Sequence, residues 1–284
     1  MAREKQTVYL NGEYIDREEA SISPEDRGFL FADGVYEVVI SYGGRIFRIE
    51  DHVARLRRSL GGISIRGIDA SILADIAPEL LARNDLSEVD AIIYMQVTRG
   101  AAPRLHAFPA EGTPPTVYAF ARRFQLPIGM IRDGTRIITV PDIRWTRCDI
   151  KSVSLLPNVL AKQKAEEEGA GEAVFVRDGA LTEGTASNFA AVFGGTLVTH
   201  HDCGFILSGI TKKAVFEICA DLGIPVEQRP VKTGELAYAD EMMILSTTKE
   251  IVPVVRIDDR VVGDGRPGPV TLRLQKEFGK IKRL

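Results

Sequence analysis

The sequence predicts an α+β protein of two domains. Three observations carry that prediction. The chain has 284 residues, about two domains at roughly 150 residues each. Apolar residues make up 45 % of it and charged residues 26 %, the balance of a globular chain rather than a disordered or collagenous one. Strands of period two also mix with helices of period 3.6 without the strict alternation of a doubly wound sheet.

The elements follow in order. Residues 7–23 read as a hairpin, because Val8 and Leu10 alternate with polar residues and Asn11-Gly12 is the strongest short hairpin signal. Ser23-Pro-Glu-Asp26 has the form of a helix start or turn. Residues 34–40 (GVYEVVI) are β-rich, Gly43-Gly44 turns the chain, and residues 45–49 bring it back. Asp51 is a candidate cap for a helix bearing Val53, Leu56 and Leu60, and a second helix runs over 70–83. Residues 91–98 and 116–121 read as strands. The stretch 122–134, with Pro127, Gly129 and Gly134, is the linker candidate, dividing an N-terminal domain (1–121) from a C-terminal one (135–284). Beyond it come a strand at 135–140, a helix at 159–168, and short strands at 173–176, 189–192 and 196–199. A helix opens at Gly209, strands follow at 241–246 and 252–257, and a last helix ends the chain.

Composition narrows the function. Lys plus Arg is 36 and Asp plus Glu 39, a net charge of −3, and no basic run is present, so nucleic acid is not the expected partner. The start MAREKQTVYL lacks the apolar core of a signal peptide, and no apolar run is long enough to span a bilayer. Cys148, Cys203 and Cys219 form no close-spaced metal pattern. The expectation is a cytoplasmic protein with no metal and no membrane partner.

Between Lys5 and Lys162 there is one lysine, Lys151, against seventeen arginines. Arginine serves for solvated charge and ion pairs but effectively never loses its proton. A lysine kept there is either one more solvated cation or an amine used as a nucleophile toward an aldehyde. Leu181-Thr-Glu183-Gly-Thr-Ala-Ser-Asn188 is a small-residue turn around one carboxylate. It reads as a polar loop, or as Glu183 hydrogen-bonded to a ring nitrogen with Asn188 holding the loop. Gly209-Ile210-Thr211 at a helix start suits a phosphate, and is equally plain capping. Ser246-Thr247-Thr248 is a second hydroxyl-rich turn. Arg55 lies on the 51–60 helix beside Arg57 and Arg58, and either one of the three pairs with a phosphate or they form a solvated basic face. Arg104 and His106 either point to one side of an extended segment, where together they suit a carboxylate, or lie on a surface loop.

In family order, GVYEVV (34–39), the helix around Arg55, VTRGAAPRLH (97–106), DIRWTRCDIKSVSLLPNVLAKQ (142–163), LTEGTASN (181–188), GIT (209–211) and STTKEI (246–251) resemble the class IV, or fold type IV, pyridoxal-phosphate aminotransferases. The likeness is strongest to the D-amino acid (D-alanine) aminotransferases and runs from the first hairpin to the C-terminus.

That resemblance implies a small N-terminal α/β domain and a larger C-terminal pseudo-barrel domain that binds pyridoxal 5'-phosphate. It implies that Lys151 is the catalytic lysine, forming the Schiff base with the cofactor aldehyde. Glu183 would meet the pyridine nitrogen, and Arg55, Ile210, Thr211, Ser246 and Thr247 would hold the phosphate. Tyr36, Arg104 and His106 would receive the substrate carboxylate, the last two from the neighbouring subunit of a homodimer. The implied reaction is ping-pong transamination of a D-amino acid, D-alanine with 2-oxoglutarate giving pyruvate and D-glutamate. A branched-chain L-amino acid aminotransferase and an aminodeoxychorismate lyase on the same fold are the alternatives. The Arg104-x-His106 pair separates them, because those relatives share the lysine and glutamate but lack the pair.

Overall fold

The computed structural model describes residues 6–282. They form two compact units, one of residues 6–125 with Ile150–Ser154, the other of Leu126–Asp149 with residues 155–282.

In the first unit, Asn11 and Gly12 take φ of +50° and +104°. Such a left-handed pair turns β1 (Thr7–Leu10) back as β2 (Glu13–Asp16). Asp26 caps the short helix α1 (Arg27–Phe31), accepting the Gly28 N–H at 2.8 Å. β3 (Gly34–Tyr42) turns into β4 (Arg45–Ile46). Then α2 (Ile49–Gly62) begins three residues earlier than a cap at Asp51 predicts, with Arg48 at the cap and φ +54°. Asp51 instead sits in the first turn, where an acid suits the helix dipole, and pairs with Arg48 at 2.5 Å. α3 (Ile72–Arg83), β5 (Ala91–Thr98) and β6 (Thr116–Arg123) complete the unit. Its sheet is antiparallel, in the order β2-β1-β6-β5-β3-β4. Leu56 and Leu60 of α2 and Leu73, Ile76 and Leu80 of α3 pack with Val35, Val39, Ile93 and Val97. Burying each such side chain is worth about 1.5–3 kcal/mol.

β4 pairs only with Ser41 and Tyr42, which leaves the start of β3 with an open edge. Residues 150–154 fill it. Tyr36 N–H donates to the Lys151 carbonyl at 2.9 Å, Val153 N–H donates to that of Gly34 at 3.0 Å, and Ile150 joins the core. Lys151 falls within the expected C-terminal stretch 135–284. The chain instead returns to the first unit for five residues, satisfying backbone groups that would otherwise lie unpaired.

The second unit opens with α4 (Ile128–Asp133), a short helix inside the expected linker. Next come β7 (Thr135–Pro141), α5 (Leu156–Glu167), β8 (Glu172–Arg177), β9 (Ala180–Gly184), β10 (Asn188–Phe193) and β11 (Thr196–Thr199). They are followed by α6 (Ile210–Leu222), β12 (Val226–Gln228), β13 (Val231–Lys232), a 3₁₀ turn (Thr233–Tyr238), β14 (Glu241–Ser246), β15 (Glu250–Ile257), β16 (Arg260–Val261) and α7 (Pro269–Ile281). Six strands run β10-β14-β15-β7-β8-β9 and close on β10 through one residue pair, Asn188 opposite Glu183. This is the pseudo-barrel. Both sheet faces are covered, so its strands read as near-continuous apolar runs. Ile137 and Val174 pack with Leu181, Phe189 and Ile244, while Ile138, Ala173 and Phe175 turn the other way onto Ala161 and Ala165 of α5.

Candidate active site

Alternation along β3 sends Tyr36 and Glu37 to opposite faces. Tyr36 meets Lys151, whose Nζ lies 4.3 Å from its ring centroid, and stacks on Tyr94 at 5.7 Å. Lys151 is half-buried, and its N–H donates to Ser59 Oγ of α2 at 3.1 Å. On the other face, Glu37 is fully buried and accepts both Nε and Nη2 of Arg55 at 2.7 Å. His52 Nδ1 lies 2.8 Å from the same carboxylate. Burial alone would raise the Glu37 carboxyl, but Arg55 and His52 overcome it and hold it far below the usual carboxylate range. Burial pushes His52 down, against the pull of Glu37. Arg55 is therefore not on a solvated face. Glu37 fixes two of its three guanidinium nitrogens, and a carboxylate at a core-facing strand position was the sequence signal for that partner.

Arg104 and His106 lie on a loop, not an extended segment: Leu105 N–H closes a tight turn on the Pro103 carbonyl at 2.8 Å. They still converge. The Arg104 guanidinium lies 5.1 Å from the Phe31 ring centroid, and His106 packs edge-on to that ring at 5.6 Å. Arg27, buried in α1, grips the loop from below by donating to the carbonyls of Leu105 at 2.7 Å and Ala107 at 3.3 Å. Asp33 ties Arg27 to Arg99 through bonds of 2.9 and 2.8 Å, and Arg99 lies 3.7 Å from the Phe108 ring centroid.

In the second unit, Glu183 is buried at the barrel seam. Its Oε1 accepts Arg144 Nη1 at 2.5 Å, and its Oε2 accepts Asn188 Nδ2 at 3.2 Å and the Leu207 N–H at 2.9 Å. Arg144 also holds Asp142, the Thr182 hydroxyl and the Phe205 carbonyl. Burial would raise the Asp142 carboxyl, yet Arg144 draws it below its usual range. Arg144 is the chief residue that sequence reasoning passed over. Its signal was Asp142-x-Arg144, which places an acid and a base on one side of an extended chain.

Asn188 also donates to the Leu207 carbonyl at 2.8 Å. A Cβ at position 209 would lie 1.9 Å from Asn188 Oδ1, so only glycine fits where α6 begins. The first N–H groups of α6 have no intrahelical acceptor, and Ile210 and Thr211 stand there, both buried. Ser246 ends β14 and accepts the Lys249 N–H at 3.2 Å. Fully buried Glu172 joins this turn to the Glu183 loop. It accepts from Lys249 Nζ at 3.1 Å and from the hydroxyls of Thr185 and Ser187. Burial pushes the Cys148 thiol up to about 11, so it is protonated and inert at neutral pH.

The two units thus offer a primary amine and a paired guanidinium in one, and an oriented carboxylate, a helix start and a hydroxyl turn in the other. The family model for amino-transferase class IV matches residues 34–257.

The chain belongs to the class IV aminotransferases.

This aminotransferase is 43 % identical over 274 residues to the D-alanine aminotransferase of Staphylococcus haemolyticus, covering 96 % of each chain. Against that of Bacillus licheniformis the identity is 43 % over 270 residues, 94 % of each. Among solved structures it matches the branched-chain amino acid aminotransferase of Escherichia coli with a TM-score of 0.90 at 25 % identity, covering 97 % of this chain and 94 % of that one. It matches the branched-chain aminotransferase of Thermoproteus uzoniensis with a TM-score of 0.89 at 27 % identity, covering 98 % and 95 %. A T.th. branched-chain amino acid aminotransferase with pyridoxamine 5'-phosphate matches with a TM-score of 0.87 at 27 % identity, covering 98 % and 95 %. Among the described residues of this aminotransferase, no helix is long and apolar enough to cross a membrane.

Proposed function

We propose that this enzyme transfers the amino group of D-amino acids by a ping-pong mechanism with pyridoxal 5'-phosphate, with D-alanine and 2-oxoglutarate as substrates and pyruvate and D-glutamate as products. The observation that carries this reading is the 43 % identity to D-alanine aminotransferases over nearly the whole chain, against 25–27 % for the branched-chain enzymes of the same fold.

The donor set fits the cofactor. The α6 start at Ile210 and Thr211, the Ser246-Thr247 turn and the Arg55 guanidinium are anion donors for its phosphate. Lys151 is the amine for its aldehyde, and Glu183 is the acceptor for its ring N–H. Bound there, the cofactor supplies an electron sink for the electrons released at the substrate Cα.

The remaining work falls to the chain's own residues. Glu183, aimed by Arg144, Asn188 and the Leu207 N–H, keeps a proton on the ring nitrogen. Lys151, laid against Tyr36 by the β3 edge, takes the proton from the substrate Cα. Tyr36, Arg104 and His106 receive the substrate carboxylate, and where it is held decides which face of Cα meets the lysine. The Arg104 loop serves the neighbouring copy in a homodimer. The solvent exposure of Leu105 (67 %), Phe108 (62 %) and Phe29 (77 %) beside it supports that placement.

One comparison tests the reading. The purified holoenzyme moves the amine of D-alanine to 2-oxoglutarate and leaves L-leucine untouched. Transfer from L-leucine alone would make it a branched-chain enzyme.

A further inference from the structure

The loop between β11 and α6 reads Thr199-His-His-Asp-Cys-Gly204, and the proposed reaction uses none of its side chains. His200, His201 and Cys203 each offer one ligand atom, and the three atoms lie within 4.8 Å of one another. Cysteine spacing by itself predicts no metal. The cluster has two histidines and one cysteine, which is invisible to a search for cysteine pairs.

Its geometry is close to that of an ion site. With ordinary bonds to zinc, a tetrahedral centre places nitrogen and sulfur about 3.6 Å apart. His200 Nδ1 and Cys203 Sγ are separated by 3.8 Å. The loop is held in place. The Thr199 hydroxyl donates to the Phe189 carbonyl at 2.7 Å, and Lys212 Nζ of α6 donates to the His200 carbonyl at 3.3 Å. The Phe205 N–H donates to Cys203 Sγ at 3.4 Å, a bond that strengthens as the sulfur becomes anionic. His200 is buried, whereas His201 is exposed and Cys203 half-buried, so an ion has a way in.

We infer that His200, His201 and Cys203 form a binding site for a thiophilic divalent metal ion, with zinc as the reference ion, separate from the residues assigned to cofactor and substrate. Two imidazoles and a thiolate suit such an ion, and three protein ligands leave a fourth position for water. On binding, the Cys203 S–H bond is replaced by a metal–sulfur bond and its proton passes to solvent. The Nδ1 proton of His200, now shared with the His201 carbonyl at 2.9 Å, gives way to the metal while Nε2 is protonated.

The site adjoins the loop that supports Glu183. Just after Cys203, the Gly204 carbonyl accepts the Cys148 N–H, the Phe205 carbonyl accepts Arg144, and the Leu207 N–H donates to Glu183. An ion there stiffens the loop that aims the carboxylate.

The test uses holoenzyme incubated with zinc chloride, then dialysed against metal-free buffer and assayed for zinc by mass spectrometry. Cys203→Ser and His201→Ala serve as comparisons. We expect the parent to keep about one zinc per chain and both variants to lose it. Iodoacetamide labelling, read by peptide mapping, gives a second measurement. Zinc should slow alkylation of Cys203 by about tenfold or more. Cys148 and Cys219, whose thiols burial raises to about 11, stay unlabelled with or without metal. Equal zinc in parent and variants, no zinc in any of them, or unchanged Cys203 labelling in the loaded parent would each overturn the assignment.

Discussion

Each unit buries an arginine against a glutamate, and the two pairs are built differently. Arg55 and Glu37 form a bidentate pair, and His52 Nδ1 lies on the same carboxylate. Arg144 and Glu183 share a short bond, and between them they also hold Asp142, Thr182, Asn188 and the backbone of residues 205 and 207. A bidentate pair fixes the orientation of one guanidinium. A network fixes a carboxylate and the loops around it together. The first arrangement suits an arginine kept ready for an anion. The second suits a carboxylate that must meet a ring nitrogen at one angle.

The largest expected effect lies outside both pairs and shows whether they support one chemistry. Lys151→Ala should lower transamination by about 10⁴-fold or more while the melting temperature changes little. Retained activity would mean that the two buried pairs do not serve a lysine-dependent reaction.

The comparison itself is sharpened by replacing partners singly and together. Removing one member of a buried pair leaves the other without that partner, a loss that reaches about 3–5 kcal/mol where little else holds it. Glu37→Met with Arg55→Met should cost clearly less than either single change, because neither charge of the pair is then left buried without the other. Glu183→Met with Arg144→Met should show less recovery, since the buried Asp142 carboxylate then keeps only the Arg177 guanidinium. Urea denaturation of the parent and the six variants measures both cycles, and equal recovery in the two would erase the distinction.

A smaller effect concerns the Arg104 loop. Arg104→Ala should lower kcat/KM for D-alanine by an amount on the order of 2 kcal/mol, the loss of a charge-assisted carboxylate contact. Arg27→Ala, which frees the carbonyls of Leu105 and Ala107 without touching substrate, should raise KM about tenfold, ~1.4 kcal/mol, with kcat nearly unchanged. An Arg27→Ala enzyme with normal KM would show that the loop holds its shape unaided.

The smallest effect is on pH. Glu37 is held below its ordinary 4.5, so its contribution to stability is complete above that value and is lost as pH falls toward the folded value. His52 is held below 6.5, chiefly by burial, and therefore also weakens the first unit as pH falls below 6.5. Asp142 adds a loss only below its ordinary 3.8. Amide hydrogen exchange should show β3 and α2 losing protection by pH 5, before the strands around Glu183. The reverse order would contradict the assignment of His52 as a buried neutral ring.

Local rules reached most elements. Asn11-Gly12 gave its hairpin, and Ile72, Leu73, Ile76, Leu80 and Leu81 gave α3 its buried face. They missed α4, which buries no side chain and so shows no periodicity. They also misplaced the start of α2, where a left-handed Arg48 carries no cap signature. Lys151, Glu183 and the Gly209 helix start stood out as residue types in informative settings, since amine, carboxylate and free N–H chemistry is local. By itself, then, the sequence determined the α+β class and the chemical groups on offer. Tertiary structure decided that residues 150–154 complete the edge of β3, that Asn188 and Glu183 close the barrel, and that Glu37, Arg144 and Arg27 do the holding. The reason is that a partner such as Glu37, 18 residues from Arg55, or Glu183, 39 from Arg144, becomes a neighbour only when strands pair and burial leaves each charge one place to go.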